Sequence, residues 1–268
     1  MTTWPAVTEA GQGDTAVLLL HGIGGRRSIW GAEGSGTLQA LAAGGYRAVA
    51  VDLPGYGDSA AMGAPDMDAF VAAVRAVMQR TAAPRTVLLG HSMGGMVAQE
   101  LVARSPAGVD GLVLTCTSAG FGRPDGAWQA RFIAQRLAPL DAGLGMAGMV
   151  QALLPGLLSP GAGAHAARVM GQAMSSVPEA TYRAALGAIA AFDRVAALAA
   201  IAVPTLMLAA ELDRTASPEL MQRMAARVPG CEFQVLAGTG HVANVEAPER
   251  FNAAVLDFLR RRFPVLSA

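Results

Sequence analysis

Four segments of this 268-residue chain carry side chains that could act together on one bond. The first is Gly90-His91-Ser92-Met93-Gly94, a G-x-S-x-G pattern with an apolar run before it (86–89) and a helical segment after it (96–104). A tight strand-to-helix turn of this kind holds the serine in strained backbone geometry and projects its hydroxyl over the carboxyl ends of the strands. The helix behind it adds free N–H groups and the positive end of a dipole. A serine hydroxyl is unreactive at neutral pH without a base. His241 is the expected base, because Gly238-Thr239-Gly240-His241 follows the last apolar run, 232–236, at the same edge of a parallel sheet. His91 adjoins the serine and points elsewhere, His165 lies among alanines, and His21 belongs to a glycine-rich loop. The base needs an acid to orient it. Glu211 and Asp213 both follow the run 204–208; Asp213 is expected, being further into the loop and giving the order Ser…Asp…His.

Attack on an acyl carbon creates an oxyanion that needs two N–H donors. Met93, directly after the nucleophile, offers one. The loop His21-Gly22-Ile23-Gly24-Gly25 offers the other, expected from Ile23, with Gly24 next in line. A phosphate-binding role for these glycines fails, since no Lys-Ser/Thr follows and no G-x-G-x-x-G is present.

These residues must be held by an alternation of short apolar runs and longer helical patterns. The runs 16–20, 47–51, 86–89, 112–114, 204–208 and 232–236 read as strands of a mostly parallel sheet buried on both faces. Phe70, Val71, Val74, Val77 and Met78 form one face of a helix over 66–80, with Asp66 or Asp68 as its cap. Ser217 and Pro218 open another helix, and Phe251, Val255, Phe258 and Leu259 define a third over 248–262. Residues 119–198 lack strand runs. Eighty residues of short helical patterns between two strands are expected to be a helical cap, leaving 1–118 and 199–268 as the α/β core. The pocket is expected between the two, lined by Gly24, Trp30, Met93, Phe121, Trp128, Phe132, Met146, Met149, Phe192 and Val242. With 5% aromatic residues it should be mainly aliphatic.

Composition removes other classes. The chain is 53% hydrophobic and 15% charged, which excludes intrinsic disorder. Twenty basic residues, all Arg, balance twenty acidic ones, so there is no basic excess for nucleic acid. Cys116 and Cys231 build no metal-binding spacing, and neither metal nor cofactor is expected. The first basic residue is Arg26, so a secretory n-region is missing, and the charge-free span 195–210 is shorter than the roughly 20 residues of a membrane helix. A soluble cytoplasmic protein without a membrane partner is expected; oligomeric state is not readable.

The HGIGG loop, the D-x-P-G-x-G-x-S turn at 52–59, GHSMGG at 90–95, LDRTASPE at 212–219 and GTGHVANVEAPERF at 238–251 stand in the order of the α/β-hydrolase superfamily, which the chain resembles over nearly its whole length. MGGMVAQ at 93–99, Thr115-Cys116-Thr117, and Trp128 with Arg131 are similar to 3-oxoadipate enol-lactonase and related esterases. The resemblance implies an α/β-hydrolase fold with a cap and a serine hydrolase of a small ester or lactone. If the substrate carries a carboxylate, a cap arginine such as Arg131 is implied as its partner. Carbon–carbon hydrolases of meta-cleavage products resemble the GHSMGG turn, but tend to an aromatic residue where this chain has Val242. Perhydrolase or haloperoxidase-like chemistry uses the same triad, and a silenced ligand-binding protein on this fold is the remaining alternative. The resemblance also implies an N-terminal hairpin, which the fifteen or so residues before the first run shorten.

Overall fold

A computed structural model describes residues 5–60, 64–121 and 126–265. The apolar runs form strands: β1 Val7–Ala10, β2 Thr15–Leu20, β3 Arg47–Val51, β4 Arg85–His91, β5 Gly111–Thr115, β6 Thr205–Ala210 and β7 Glu232–Leu236. They make one sheet in the order β1-β3-β2-β4-β5-β6-β7, parallel throughout except for β1. All residues of β2, β5 and β6 are buried, as continuous apolar runs require when helices cover both faces. β4 lies at the centre, so its carboxyl end opens at mid-sheet. β1 has the pattern of an edge strand, with Thr8 and Glu9 exposed, and pairs antiparallel with β3.

The helices are α1 Thr37–Ala43, α2 Met67–Thr81, α3 Met93–Arg104, α4 Ala127–Asp141, α5 Gly145–Leu157, α6 Ala164–Ser175, α7 Glu179–Ala190, α8 Pro218–Ala225, α9 Ala243–Glu246 and α10 Pro248–Arg262. The caps follow from residue type. Asp66 accepts from the Ala69 N–H at 2.8 Å, and Ser217 Oγ accepts from the Leu220 N–H at 3.3 Å. The arginines ending α10 do more than complement its dipole: Arg261 and Arg262 pair with Glu232 of β7 at 2.7 and 2.8 Å.

Helices α4 to α7 all fall between β5 and β6. The chain enters and leaves this helical segment side by side: Gly120 bridges Asp193, the Phe121 N–H donates to Phe192 O at 3.1 Å, and the Arg194 N–H donates to Ala119 O at 2.7 Å. A buried carboxylate secures that neck. Glu100, on α3, accepts from Arg104 at 2.5 Å and from Arg194 at 2.6 Å.

Candidate active site

Ser92 sits between β4 and α3 with φ +52° and ψ −117°. A non-glycine residue there is strained, at a cost on the order of 1–3 kcal/mol, and persists only if its surroundings hold it. They do so from both sides. The Ser92 N–H donates to Thr115 O at 3.0 Å, and Thr117 Oγ1 donates to Ser92 O at 2.7 Å. The end of β5 therefore clamps the turn. The glycines two before and two after the serine are required by contact: a Cβ on Gly90 would lie 2.4 Å from Gly94 O, and one on Gly94 would lie 2.3 Å from Leu20 O.

The three side chains singled out by spacing form one hydrogen-bonded series. Ser92 Oγ is 3.0 Å from His241 Nε2, and His241 Nδ1 is 2.8 Å from Asp213 Oδ2. The loop after β6 presents Asp213, and the loop after β7 presents His241. The other Asp213 oxygen accepts from the Thr215 and Ala216 amides at 2.7 and 3.0 Å. Burial pushes the Asp213 carboxyl up, but His241 and the two amides outweigh it and hold it below its ordinary value. It is a carboxylate at neutral pH, as orientation of the imidazole demands. Glu211 is exposed and accepts from the Gly238 N–H, bracing the loop that leads to His241.

The N–H groups of Ile23 and Met93 donate to no backbone acceptor among the described residues. Ile23 borders the same cavity as Ser92, whereas the Met93 side chain is buried and does not, its amide standing at the first position of α3. His21 fixes the loop carrying Ile23. Its Nδ1–H donates to Gly22 O at 2.8 Å, and its Nε2 accepts from the Leu53 N–H at 3.1 Å. Arg27 ties the loop to Asp52, which also accepts from the Asp58 N–H at 3.0 Å, so the turn at 52–59 serves the site as a brace. His91 borders the same cavity but makes no hydrogen bond to the Ser92 hydroxyl; it donates through Nε2–H to the carbonyl of His241 at 2.8 Å. Burial and the adjacent His241 lower its pKa to about 3, so it stays neutral.

A cavity of about 440 Å³ opens over Ser92. Gly24, Phe121, Trp128, Phe132 and Val242 border it. Phe121, Trp128 and Phe132 form an aromatic cluster, with centroids 4.6 to 5.3 Å apart. Five expected liners lie elsewhere, the buried Met93 side chain among them. Trp30 is buried against Phe251 of α10, with centroids 6.3 Å apart. Phe192 turns into a second, smaller cavity beside Glu100 and Arg194. Met146 is half-buried at the start of α5 and does not border the cavity, and Met149 is buried without reaching it. Arg131 is exposed. The cap arginine that does border the cavity is Arg136. Trp128, Phe132 and Arg136 are spaced by four and share one face of α4, whereas Arg131 is rotated about 100° from Phe132. That spacing was the available signal. Tyr182 of α7, also unanticipated, borders the cavity as well.

A mostly parallel sheet with a strained serine just after its central strand, hydrogen-bonded to a histidine that is bonded in turn to an aspartate, both in loops after later strands, is the arrangement of a hydrolase of the α/β type. The chain belongs to the alpha/beta hydrolase family, whose model matches residues 17–254. It is 38% identical over 254 residues to a RutD protein of Variovorax paradoxus named for carbamate hydrolysis, covering 92% of each chain. An esterase of Thermogutta terrifontis superposes with a TM-score of 0.84 at 29% identity, over 96% of this chain and 93% of that one. The enol-lactonase of Burkholderia xenovorans shares the fold, with a TM-score of 0.79 at 23% identity over 95% and 96% of the chains. The protein is thus a hydrolytic enzyme. No described helix is long and apolar enough to cross a membrane.

Proposed function

We propose that the protein cleaves a small carboxylic ester or lactone through an acyl-enzyme on Ser92. The observation that carries this is the unbroken series Ser92 Oγ–His241 Nε2 and His241 Nδ1–Asp213 Oδ2, at 3.0 and 2.8 Å, with Ser92 and His241 bordering the cavity. His241 Nε2 takes the hydroxyl proton as Ser92 Oγ bonds to the acyl carbon. Asp213 keeps Nδ1 protonated and stabilises the imidazolium that forms. The Ile23 and Met93 amides receive the oxyanion, each contributing roughly 3–4 kcal/mol to the transition state. As the tetrahedral carbon collapses, His241 returns the proton to the departing alcohol oxygen. Water then adds to the acyl carbon by the same route in reverse and frees the acid. Residues 119–198 act as the lid that excludes bulk water and shapes the acyl site.

The test is steady-state hydrolysis of 4-nitrophenyl acetate, butyrate and octanoate, beside an enol-lactone of a dicarboxylic acid, by wild type and Ser92→Ala. Turnover abolished by the substitution, with a fluorophosphonate adduct on Ser92 by mass spectrometry, is the expected result. A folded protein that turns over none of these, and takes no adduct, overturns the reading and favours carbon–carbon cleavage or ligand binding without catalysis.

A further inference from the structure

The cavity over Ser92 has an enclosed end and an open one. Leu186 and Ile189 of α7 border it and are buried. Trp128 of α4 and Ala152 and Gly156 of α5 border it too, yet are exposed, Trp128 to 53%. Residues that line a cavity and also meet solvent mark its mouth. Among the described residues the mouth therefore lies between α4 and α5. Ala152 and Gly156 are four positions apart and share one edge of α5. Leu153 and Leu157, the next row of that helix, are half-buried and border the cavity as well.

Neither backbone nor packing requires a glycine at 156. Its φ lies outside the left-handed region, and a Cβ on it would meet no described atom within 4 Å. Glycine in a helical conformation loses conformational entropy that alanine keeps. What the missing side chain does provide is width at the mouth.

The catalytic geometry says which half of the substrate uses that width. The leaving oxygen must lie within hydrogen-bond reach of His241 Nε2, which returns the proton to it. His241 stands against the end of α5. Its N–H donates to Leu157 O at 2.8 Å, and a Cβ on the preceding Gly240 would lie 2.7 Å from the same oxygen. The oxyanion loop stands on another side: a Cβ on Gly24 would lie 2.7 Å from Met174 Cγ of α6. The leaving alcohol thus has α5 and the mouth beside it, and the acyl chain faces the buried wall of α7.

We infer that the alcohol part of the substrate extends through the mouth between α4 and α5, that Gly156 sets how large it can be, and that the acid part is compact. This rests on the ester-hydrolase reading above. It narrows that reading to an open-chain ester with its bulk on the alcohol, because the leaving oxygen of a lactone stays tethered to the acyl chain.

The experiment uses two isomeric esters with the same bulky group on opposite sides. In 2-(1-pyrenyl)ethyl acetate the pyrene is on the alcohol; in methyl 3-(1-pyrenyl)propanoate it is on the acid. Both release a primary alcohol, and kcat/KM reports the step in which that alcohol is still present. Wild type is expected to favour the acetate by at least about tenfold in kcat/KM. Gly156→Leu, which fills the mouth, should lower that ratio about tenfold, and Gly156→Ala by no more than about threefold. Ala152→Leu, on the same edge of α5, should act in the same direction, and Leu186→Phe, which narrows the enclosed end, should raise the ratio. Thermal melts establish that each variant is folded. A wild-type ratio of one or less, or a ratio that Gly156→Leu and Ala152→Leu both leave unchanged, overturns the mouth while turnover of 4-nitrophenyl acetate keeps the ester reading. No turnover of 4-nitrophenyl acetate and no fluorophosphonate adduct on Ser92 removes the ester reading, and this inference falls with it.

Discussion

The backbone N–H of His241 donates to the carbonyl of Leu157, the last residue of α5, at 2.8 Å. The loop carrying the proposed base is therefore bonded directly to the helical segment above it. Glu246 reinforces the joint by accepting from the Gly240 N–H and the Ser159 N–H, each at 3.1 Å. Position of the imidazole and position of α5 are coupled.

Glu246→Ala should break that coupling. It removes a carboxylate serving two amides, and hydrogen bonds to charged groups contribute about 1.5–3 kcal/mol each. The expected outcome is a urea midpoint lowered by the equivalent of about 2 kcal/mol together with a lower kcat. A stability loss with kcat unchanged would show that the joint is only structural.

The strained serine makes a separate forecast. Ser92→Gly relieves a backbone conformation that Ser92→Ala retains. Both variants should lose turnover, but the glycine variant should be more stable than the alanine variant by about 1 kcal/mol, read from paired thermal melts. Equal melting temperatures would mean that the φ of +52° carries no strain.

Asp213→Asn should leave the fold intact and lower kcat by roughly 10⁴-fold, because the imidazole then takes the wrong tautomer. Glu211→Gln, in the same loop, should stay within about threefold of wild type, its carboxylate doing no more than accept from one exposed amide. The comparison of the two rates checks which acid orients the base.

Buried neutral histidines set an acid limit on stability. The folded-state pKa of His91 is about 3, and burial lowers that of His21 too. In the unfolded chain both bind protons near the ordinary value of about 6.5, so the unfolded state binds more protons below it. Stability is then present in full above that value and falls as pH drops, for His91 by about 1.4 kcal/mol per unit down towards 3, with His21 acting in the same direction. His91→Gln, which keeps a donor for the His241 carbonyl, should lose about 2 kcal/mol less between pH 6.5 and 4.5 than wild type does. Urea titrations at several pH values test this, and identical slopes would refute it.

The chemistry was more legible in the sequence than the pocket, for a physical reason. A strand-to-helix turn around Ser92 imposes its small neighbours locally, so G-x-S-x-G can be read without knowing what packs on it. Asp213 and His241 are tied to strand ends, and parallel strands share one edge. The cap offers no such rule. Its helices are rich in Ala, Gly and Met, and which face meets the cavity depends on a phase that distant packing sets. Hence Arg131 and Arg136, five residues apart on α4, exchange places between expectation and structure. Trp30 was misplaced for a similar reason: its partner Phe251 lies at the other end of the chain.

Glu100 has a consequence for how this enzyme could change over time. Its carboxylate belongs to the core helix behind Ser92, yet one of its two cations, Arg194, is supplied by the strand of chain returning from the helical segment. A segment transplanted from a relative would have to bring an arginine to that spot, or strand a nearly dehydrated charge at a cost of about 3–5 kcal/mol. The helical segment is consequently not a freely interchangeable module. Its inheritance is linked, through one ion pair, to that of the helix behind Ser92.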